Sequence, residues 1–274
     1  MLGKYTDNVR LKTPLIHNIT NYVTVNDVAN ILLACGGSPI MADDQDEVEE
    51  ITSICGGLCI NIGTLNHNTI PSMFKAGKKA NSLNHPALLD PVGAGASALR
   101  TQTALDLIKD VHFSVIRGNI SEIKVLANGT GGAKGVDADV ADTVTDKNIE
   151  QAVAFAKAFA EKTNSVIAIS GAIDIVCDSK RAFVIKNGHP VMSRITGSGC
   201  MLSAMTTAYI TANPNNILEA AAASFVAMGV CGELAQEKLA KNNAGNSTFR
   251  NYLIDAVFNL DGETLERRAK YEIY

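Results

Sequence analysis

Two glycines flank a serine in Thr196-Gly197-Ser198-Gly199-Cys200, and the small apolar run Met201-Leu202-Ser203-Ala204 follows at once. The glycines allow a sharp turn that exposes several N–H groups, and the run reads as a helix starting on them. Such a start draws anions, because its first amides lack partners and the helix dipole adds partial positive charge. Cys200 falls at or just inside that start, where thiols gain nucleophilic character. An anion cradle beside a possible proton acceptor suits phosphoryl transfer.

A second set of residues sits where strands are expected to end. Asp90, Arg117-Gly118-Asn119 and Ser170-Gly171 each close an apolar stretch. In open α/β sheets ligands collect at the carboxyl ends of strands, so these exits and the Gly197-Ser198-Gly199 turn can share one crevice. Asn119 and Glu122 lie three apart at a predicted helix start and project from neighbouring positions. They suit Mg²⁺, which takes hard oxygen ligands, and equally a capping box, in which each satisfies the other's backbone amide.

Three other chemistries are open to these residues. Cys200 as a covalent nucleophile over the Gly-Ser-Gly amides needs a histidine base, and His17, His67, His85, His112 and His189 carry no recognisable signature. The run from Gly129 to Gly135 is glycine-rich, but the spacing of a phosphate-binding loop is absent. Gly93-Ala94-Gly95-Ala96-Ser97-Ala98 fits a dinucleotide turn in its glycines, though Leu89-Asp90-Pro91 is an odd entry to one.

The elements that must position these residues alternate along the chain. Strands are predicted over Pro14–Ile19, Ser38–Met41, Gly57–Gly63, Ala87–Val92, Phe113–Gly118 and Ser165–Gly171, with a hairpin over Ile173–Ile185. Helices are predicted over Tyr22–Ala34, Gln45–Ile54, Thr69–Leu83, Arg100–Lys109, from Asn119, and over Lys147–Lys162. Asn128 to Gly135 reads as a loop, and from Met201 onward the tail is nearly all helical, broken at Asn213-Pro214-Asn215. This order predicts an α/β fold, a mostly parallel sheet covered on both faces, in a single domain over residues 1–274.

Composition narrows the partners. A chain that is 46% hydrophobic and 19% charged, with 24 basic and 28 acidic residues and a net charge of −4, offers no polybasic patch for nucleic acid. Stretches such as Ala220 to Val230 are too short and too rich in Ala and Gly for a membrane span, and the start shows no signal peptide. The six cysteines form no CxxC pair; apart from Cys200 they read as buried, reduced thiols, so a cytoplasmic location is expected.

Several pieces also come in a telling order. They are Pro14-Leu15-Ile16-His17-Asn18-Ile19-Thr20-Asn21, Gly37-Ser38-Pro39-Ile40-Met41, Asn61-Ile62-Gly63-Thr64-Leu65 and Leu89-Asp90-Pro91-Val92-Gly93. Ile116-Arg117-Gly118-Asn119-Ile120-Ser121-Glu122-Ile123, Gly135-Val136-Asp137 and Thr196-Gly197-Ser198-Gly199-Cys200 complete the set. Together they closely resemble the hydroxyethylthiazole kinases of thiamine salvage, in the ribokinase-like superfamily. The resemblance implies a three-layer ribokinase-like fold, and transfer of the ATP γ-phosphate to the hydroxyl of 4-methyl-5-(2-hydroxyethyl)thiazole with Mg²⁺.

By the same resemblance, Arg117, Ser170, Asn119, Ser198 and Gly199 bind ATP, and Glu122 and Asp90 hold the metal. Met41 and Gly197 contact the thiazole, and Asn21 reaches a neighbour's thiazole in a homotrimer with active sites between subunits. Cys200, where most of the superfamily has aspartate, takes the substrate's proton or orients its hydroxyl. A superfamily kinase acting on a pyrimidine alcohol is the nearest rival, and a cysteine-nucleophile hydrolase a more distant one.

Overall fold

Apolar residues in the central strands alternate with a period of two, so each strand feeds two cores. In the computed structural model, which describes residues 1–129 and 143–274, Cys59, Leu88, Val115, Val166 and Ala168 face one helical layer. Their neighbours Leu58, Ile60, Leu89, Ile116, Ile167 and Ile169 face the other.

The described chain runs α1 (Gly3–Lys12), β1 (Leu15–Ile19), α2 (Val25–Cys35), β2 (Ser38–Met41), α3 (Val48–Ile54), β3 (Gly57–Asn61) and α4 (Thr69–Ser82). Next come β4 (Ala87–Asp90), α5 (Ala98–Asp110), β5 (Val115–Asn119), α6 (Ile120–Gly129), α7 (Ile149–Thr163), β6 (Val166–Ser170), β7 (Asp174–Cys177) and β8 (Ala182–Ile185). A 3₁₀ turn (Pro190–Arg194) leads into α8 (Ser198–Ala212), α9 (Ile217–Lys241), α10 (Asn246–Asn259), α11 (Gly262–Arg268) and β9 (Tyr271–Ile273).

The strands form one sheet in the order β2-β1-β3-β4-β5-β6-β7-β8-β9. The first six are parallel, and β7, β8 and β9 continue it antiparallel. Residues of α1, α2 and α8 to α11 fill one core and those of α3 to α7 the other, giving the expected three layers. Because β1 lies between β2 and β3, the chain reverses its direction of travel across the sheet there, the place where such folds open a crevice.

Three elements differ from expectation. The N-terminal helix α1 buries only Gly3, Tyr5, Thr6 and Val9, too sparse a face to announce itself in sequence. Strand β9 has three residues and exists through its pairing with β8. Helix α9 extends to 25 residues, and by length and composition alone it is apolar enough to cross a membrane; 78% of its apolar window is buried inside the protein. Such all-round apolarity is what a helix wedged into a core requires. Of the two pieces around Gly135, the loop reading for Asn128–Gly135 fails at its start, since Asn128 and Gly129 end α6. The rest of that run, and Gly135-Val136-Asp137, lie outside the described residues.

Candidate active site

Helix α8 begins as the glycines require. Gly197 caps it with φ +84°, a left-handed backbone that L side chains rarely adopt, and an added Cβ would lie 2.8 Å from Thr24 Cγ2. The first intrahelical bond at this end runs from Met201 N to Gly197 O. The N–H groups of Ser198, Gly199 and Cys200 therefore have no acceptor among the described residues, which leaves three amides for an outside anion.

A cation stands at the same spot. Arg117, 8% exposed and midway along β5, approaches so closely that a Cβ on Gly199 would lie 2.9 Å from Nη1. Its Nη2 donates to Ser170 Oγ at 2.7 Å, its Nη1 lies 3.6 Å from Asp90 Oδ2, and its Nε is buried without a partner. A guanidinium beside the positive end of a helix is repelled by it. The arrangement becomes favourable when an anion lies between them, so helix, arginine and free amides point to one phosphate-sized ligand.

Asp90 lies beneath this point, fully buried at the end of β4. Its Oδ2 accepts from Ser203 Oγ at 2.7 Å and Asn61 Nδ2 at 2.8 Å, while Oδ1 has no partner. Burial pushes its carboxyl up to about 6 against the opposing pull of Arg117, Ser203 and Asn61. Asn119 and Glu122 form the capping box: Asn119 N donates to Glu122 Oε2 at 2.8 Å and Glu122 N to Asn119 Oδ1 at 2.9 Å. Glu122 Oε1 also accepts from Gly93 N at 2.8 Å. That bond folds the Gly93–Gly95 turn against α6, and Ser97 caps α5, so the turn holds a carboxylate where a dinucleotide site needs open amides.

Asn61, which ends the apolar strand β3, is a site residue that sequence reasoning misses. Its one signal is an asparagine closing the buried run Leu58-Cys59-Ile60. Its Nδ2 donates to Asp90 and also to Cys200 Sγ at 3.3 Å, and its Oδ1 accepts from Gly63 N and Asn21 Nδ2. Asn21 Nδ2 donates to Cys200 Sγ at 3.2 Å, and its Oδ1 accepts from Thr24 N and Oγ1. Every polar atom of the buried Asn21 side chain is thus engaged within its own chain. The half-exposed Cys200 sulfur has two amide partners and no histidine. His17, the fully buried histidine, is spent on Thr52 and Ala42 instead. Among the described residues, then, Cys200 has no histidine partner of the kind a hydrolase dyad needs. Met41 ends β2 beside β1, partly buried against the core.

From the phosphate-sized point a cavity of about 540 Å³ runs outward over α9. Arg117, Ser170, Ser198 and Gly199 line its polar end; Met192, Leu202, Phe225 and Met228 supply an apolar wall. Gly229 of α9 lets the loop after β8 pack onto the helix, since a Cβ there would meet Asn187 Cβ at 2.6 Å. Asp174, a second residue that sequence reasoning misses, also lines it, and its Oδ1 accepts from Gly171 N at 2.8 Å.

Burial pushes Asp174 up to about 7, opposed by the Gly171 amide and by Arg117. A carboxyl raised on folding adds stability that is fully present below its unfolded value of about 3.8 and lost as pH rises through about 7. Asp174→Asn should therefore raise Tm clearly more at pH 8 than at pH 4.5, where the loss has only begun. Thermal melts at the two values check this; an equal shift at both would overturn it.

Comparison with known proteins converges on one family. The hydroxyethylthiazole kinase family profile matches residues 6–263. A hydroxyethylthiazole kinase of Clostridium acetobutylicum is 66% identical over 274 residues, the full length of both chains. The solved structure of hydroxyethylthiazole kinase protein from Pyrococcus horikoshii OT3 has a TM-score of 0.88 at 33% identity, covering 100% of this chain and 98% of that one. A pyridoxal kinase from Staphylococcus aureus, solved with AMP-PCP and pyridoxal, shares the fold alone: TM-score 0.56, 14% identity, 80% and 87% coverage.

Proposed function

We infer the chemistry of this crevice from a premise now established, that the chain belongs to the hydroxyethylthiazole kinase family. It is a phosphotransferase that moves the ATP γ-phosphate to the hydroxyl of 4-methyl-5-(2-hydroxyethyl)thiazole, a step of thiamine salvage. One observation carries the assignment of roles: three free amides of α8 and the Arg117 guanidinium converge on a single point. That is where charge gathers as the γ-phosphoryl group moves, and positioned donors there do most of the catalysis.

The nucleotide then occupies the long cavity, with its base against Met192, Phe225 and Met228 and its phosphates toward Arg117, Ser170, Ser198 and Gly199, which line it, and toward Asn119, the last residue of β5. The thiazole lies on the other side of the α8 start, against Met41 and Gly197. Cys200, between the two, takes the hydroxyl proton. The donor set fits Mg²⁺: Asp90 Oδ1 is buried without a partner, and each Glu122 oxygen accepts only one backbone N–H. A magnesium ion usually takes one or two carboxylates and completes its shell with water and phosphate. Glu122 and Asp90 would hold it, and bound there it supplies positive charge to the phosphates.

Exposed Tyr22, Val23 and Leu99, respectively 77%, 57% and 49% exposed, offer apolar surface for a neighbouring subunit to cover, in keeping with the homotrimer we propose; light scattering reads its mass directly. Five buried free cysteines whose thiols burial pushes up support a reducing cytoplasm. A coupled ADP-release assay tests the reaction. ADP should appear with the thiazole alcohol, fall to background when Mg²⁺ is chelated, and be far slower with a pyrimidine alcohol. Equal rates with both alcohols would overturn the substrate; full activity in chelator would overturn the metal.

A further inference from the structure

The orientation of the two asparagine amides around Cys200 is dictated by their other partners. Asn21 Oδ1 must face Thr24, whose backbone N–H can only donate, at 3.1 Å. Asn61 Oδ1 must likewise face the Gly63 N–H at 2.9 Å, and Asn61 Nδ2 must face the Asp90 carboxylate. An amide flip at either residue would set like against like. Each Nδ2 has two hydrogens, and one of each is already given away, to Asn61 Oδ1 and to Asp90 Oδ2. The remaining two both point at the sulfur, from 3.2 and 3.3 Å.

We propose that Asn61, together with Asn21, is a positioning residue for phosphoryl transfer: their amides hold two sides of the Cys200 sulfur and turn its proton-accepting side toward the substrate hydroxyl. Asp90 braces the arrangement from below through Asn61 and Ser203. In the step served, the hydroxyl oxygen bonds to the γ-phosphorus while the bond from that phosphorus to the β-phosphate bridging oxygen breaks, releasing ADP. The hydroxyl proton passes to the sulfur and afterwards to water. The inference rests on the reading of Cys200 as proton acceptor.

The test is a mutant cycle in the full-length enzyme. Asn61→Asp keeps the shape and the acceptor for Gly63 and Asn21, but turns an acceptor toward Cys200 and toward Asp90 as well, so it is paired with Asn21→Ser, which leaves the Asn61–Asp90 contact in place. A positioned base contributes about 10²-fold or more, so kcat should fall roughly 10²-fold with both KM values within about twofold. In a Cys200→Ala background Asn21→Ser, which leaves Asp90 and its partners untouched, should cost less than about threefold, because residues acting as one unit are not additive. Alkylation of Cys200 by iodoacetamide should slow about tenfold; a merely loosened site would react faster. If Asn61→Asp does not fold, Asn21→Ser, which keeps an oxygen for Thr24 while removing an N–H from the sulfur, makes the same test.

A loss in kcat that persists undiminished in the Cys200→Ala background would overturn the proposal, as would full activity in the asparagine variants while Cys200→Ala is impaired. Wild-type kcat in Cys200→Ala would overturn the proton-acceptor reading itself. The two failures are therefore distinguishable.

Discussion

Arg117→Met should lower kcat by about 10³-fold or more, the scale on which arginines act in phosphoryl transfer. The reason begins with burial. Arg117 is 8% exposed, beside the positive end of α8, and spans Asp90 on one side and Ser170 on the other. Its forked guanidinium can hold both while facing a phosphate, a geometry lysine does not share. Removing it also leaves Asp90 without its cation, and breaking a buried pair of this kind costs about 3–5 kcal/mol. Loss of activity and loss of fold must therefore be separated. Arg117→Met combined with Asp90→Asn should recover most of the lost Tm and none of the kcat. Arg117→Lys, folded and still charged, should lose about 10–100-fold, consistent with a misplaced rather than absent charge. Steady-state ADP release and thermal melts on the three proteins check this. A well-folded Arg117→Met with near-normal kcat would sink the phosphate assignment.

The second large effect is expected at Gly197. An alanine there must hold φ near +84° and set its Cβ 2.8 Å from Thr24 Cγ2. The left-handed backbone costs about 1–2 kcal/mol, and the clash adds to it because Thr24 is held by Asn21 through two hydrogen bonds. Relief comes by moving the turn, and with it the amides of Ser198, Gly199 and Cys200. A shift of about 1 Å at such a site costs roughly 10²-fold in kcat/KM. Gly197→Ala should therefore lower Tm and catalysis together. Gly245→Ala is the control: a Cβ there meets nothing within 4 Å, so its effect should stay within about 0.5 kcal/mol. Equal behaviour of the two alanine variants in melts and assays would contradict the account.

The contrast between these residues explains which features are legible in the amino-acid sequence. Gly197 and Gly199 act through local backbone, and a Gly-Ser-Gly turn before an apolar run is a local pattern. The strands are legible for the same reason: alternation such as Leu58, Cys59, Ile60 is enforced by two cores pressing on one ribbon. Asn119 and Glu122 are ambiguous in sequence between cation ligand and capping box, and geometry supplies the reciprocal hydrogen bonds that make the box.

The rest of the site is hidden because its contacts join distant parts of the chain. Asn61 meets Asp90 across 29 positions and Cys200 across 139, and Asn21 meets Cys200 across 179. No window of sequence contains such a pair. Asp174 reads as one acid in a hairpin, whereas β6 and β7 fold it into the cavity beside Arg117. Helix α1 and strand β9 belong here too. Thr6 is held by Tyr209 and Ile273 by Phe183, partners from the far side of the chain. Sequence alone therefore determined the α/β order, the Gly-Ser-Gly turn at the start of α8 and the family pattern, because these are written in neighbouring residues. Tertiary structure alone decided what surrounds the cysteine sulfur, since hydrogen bonds are directional and those partners meet only when the sheet closes.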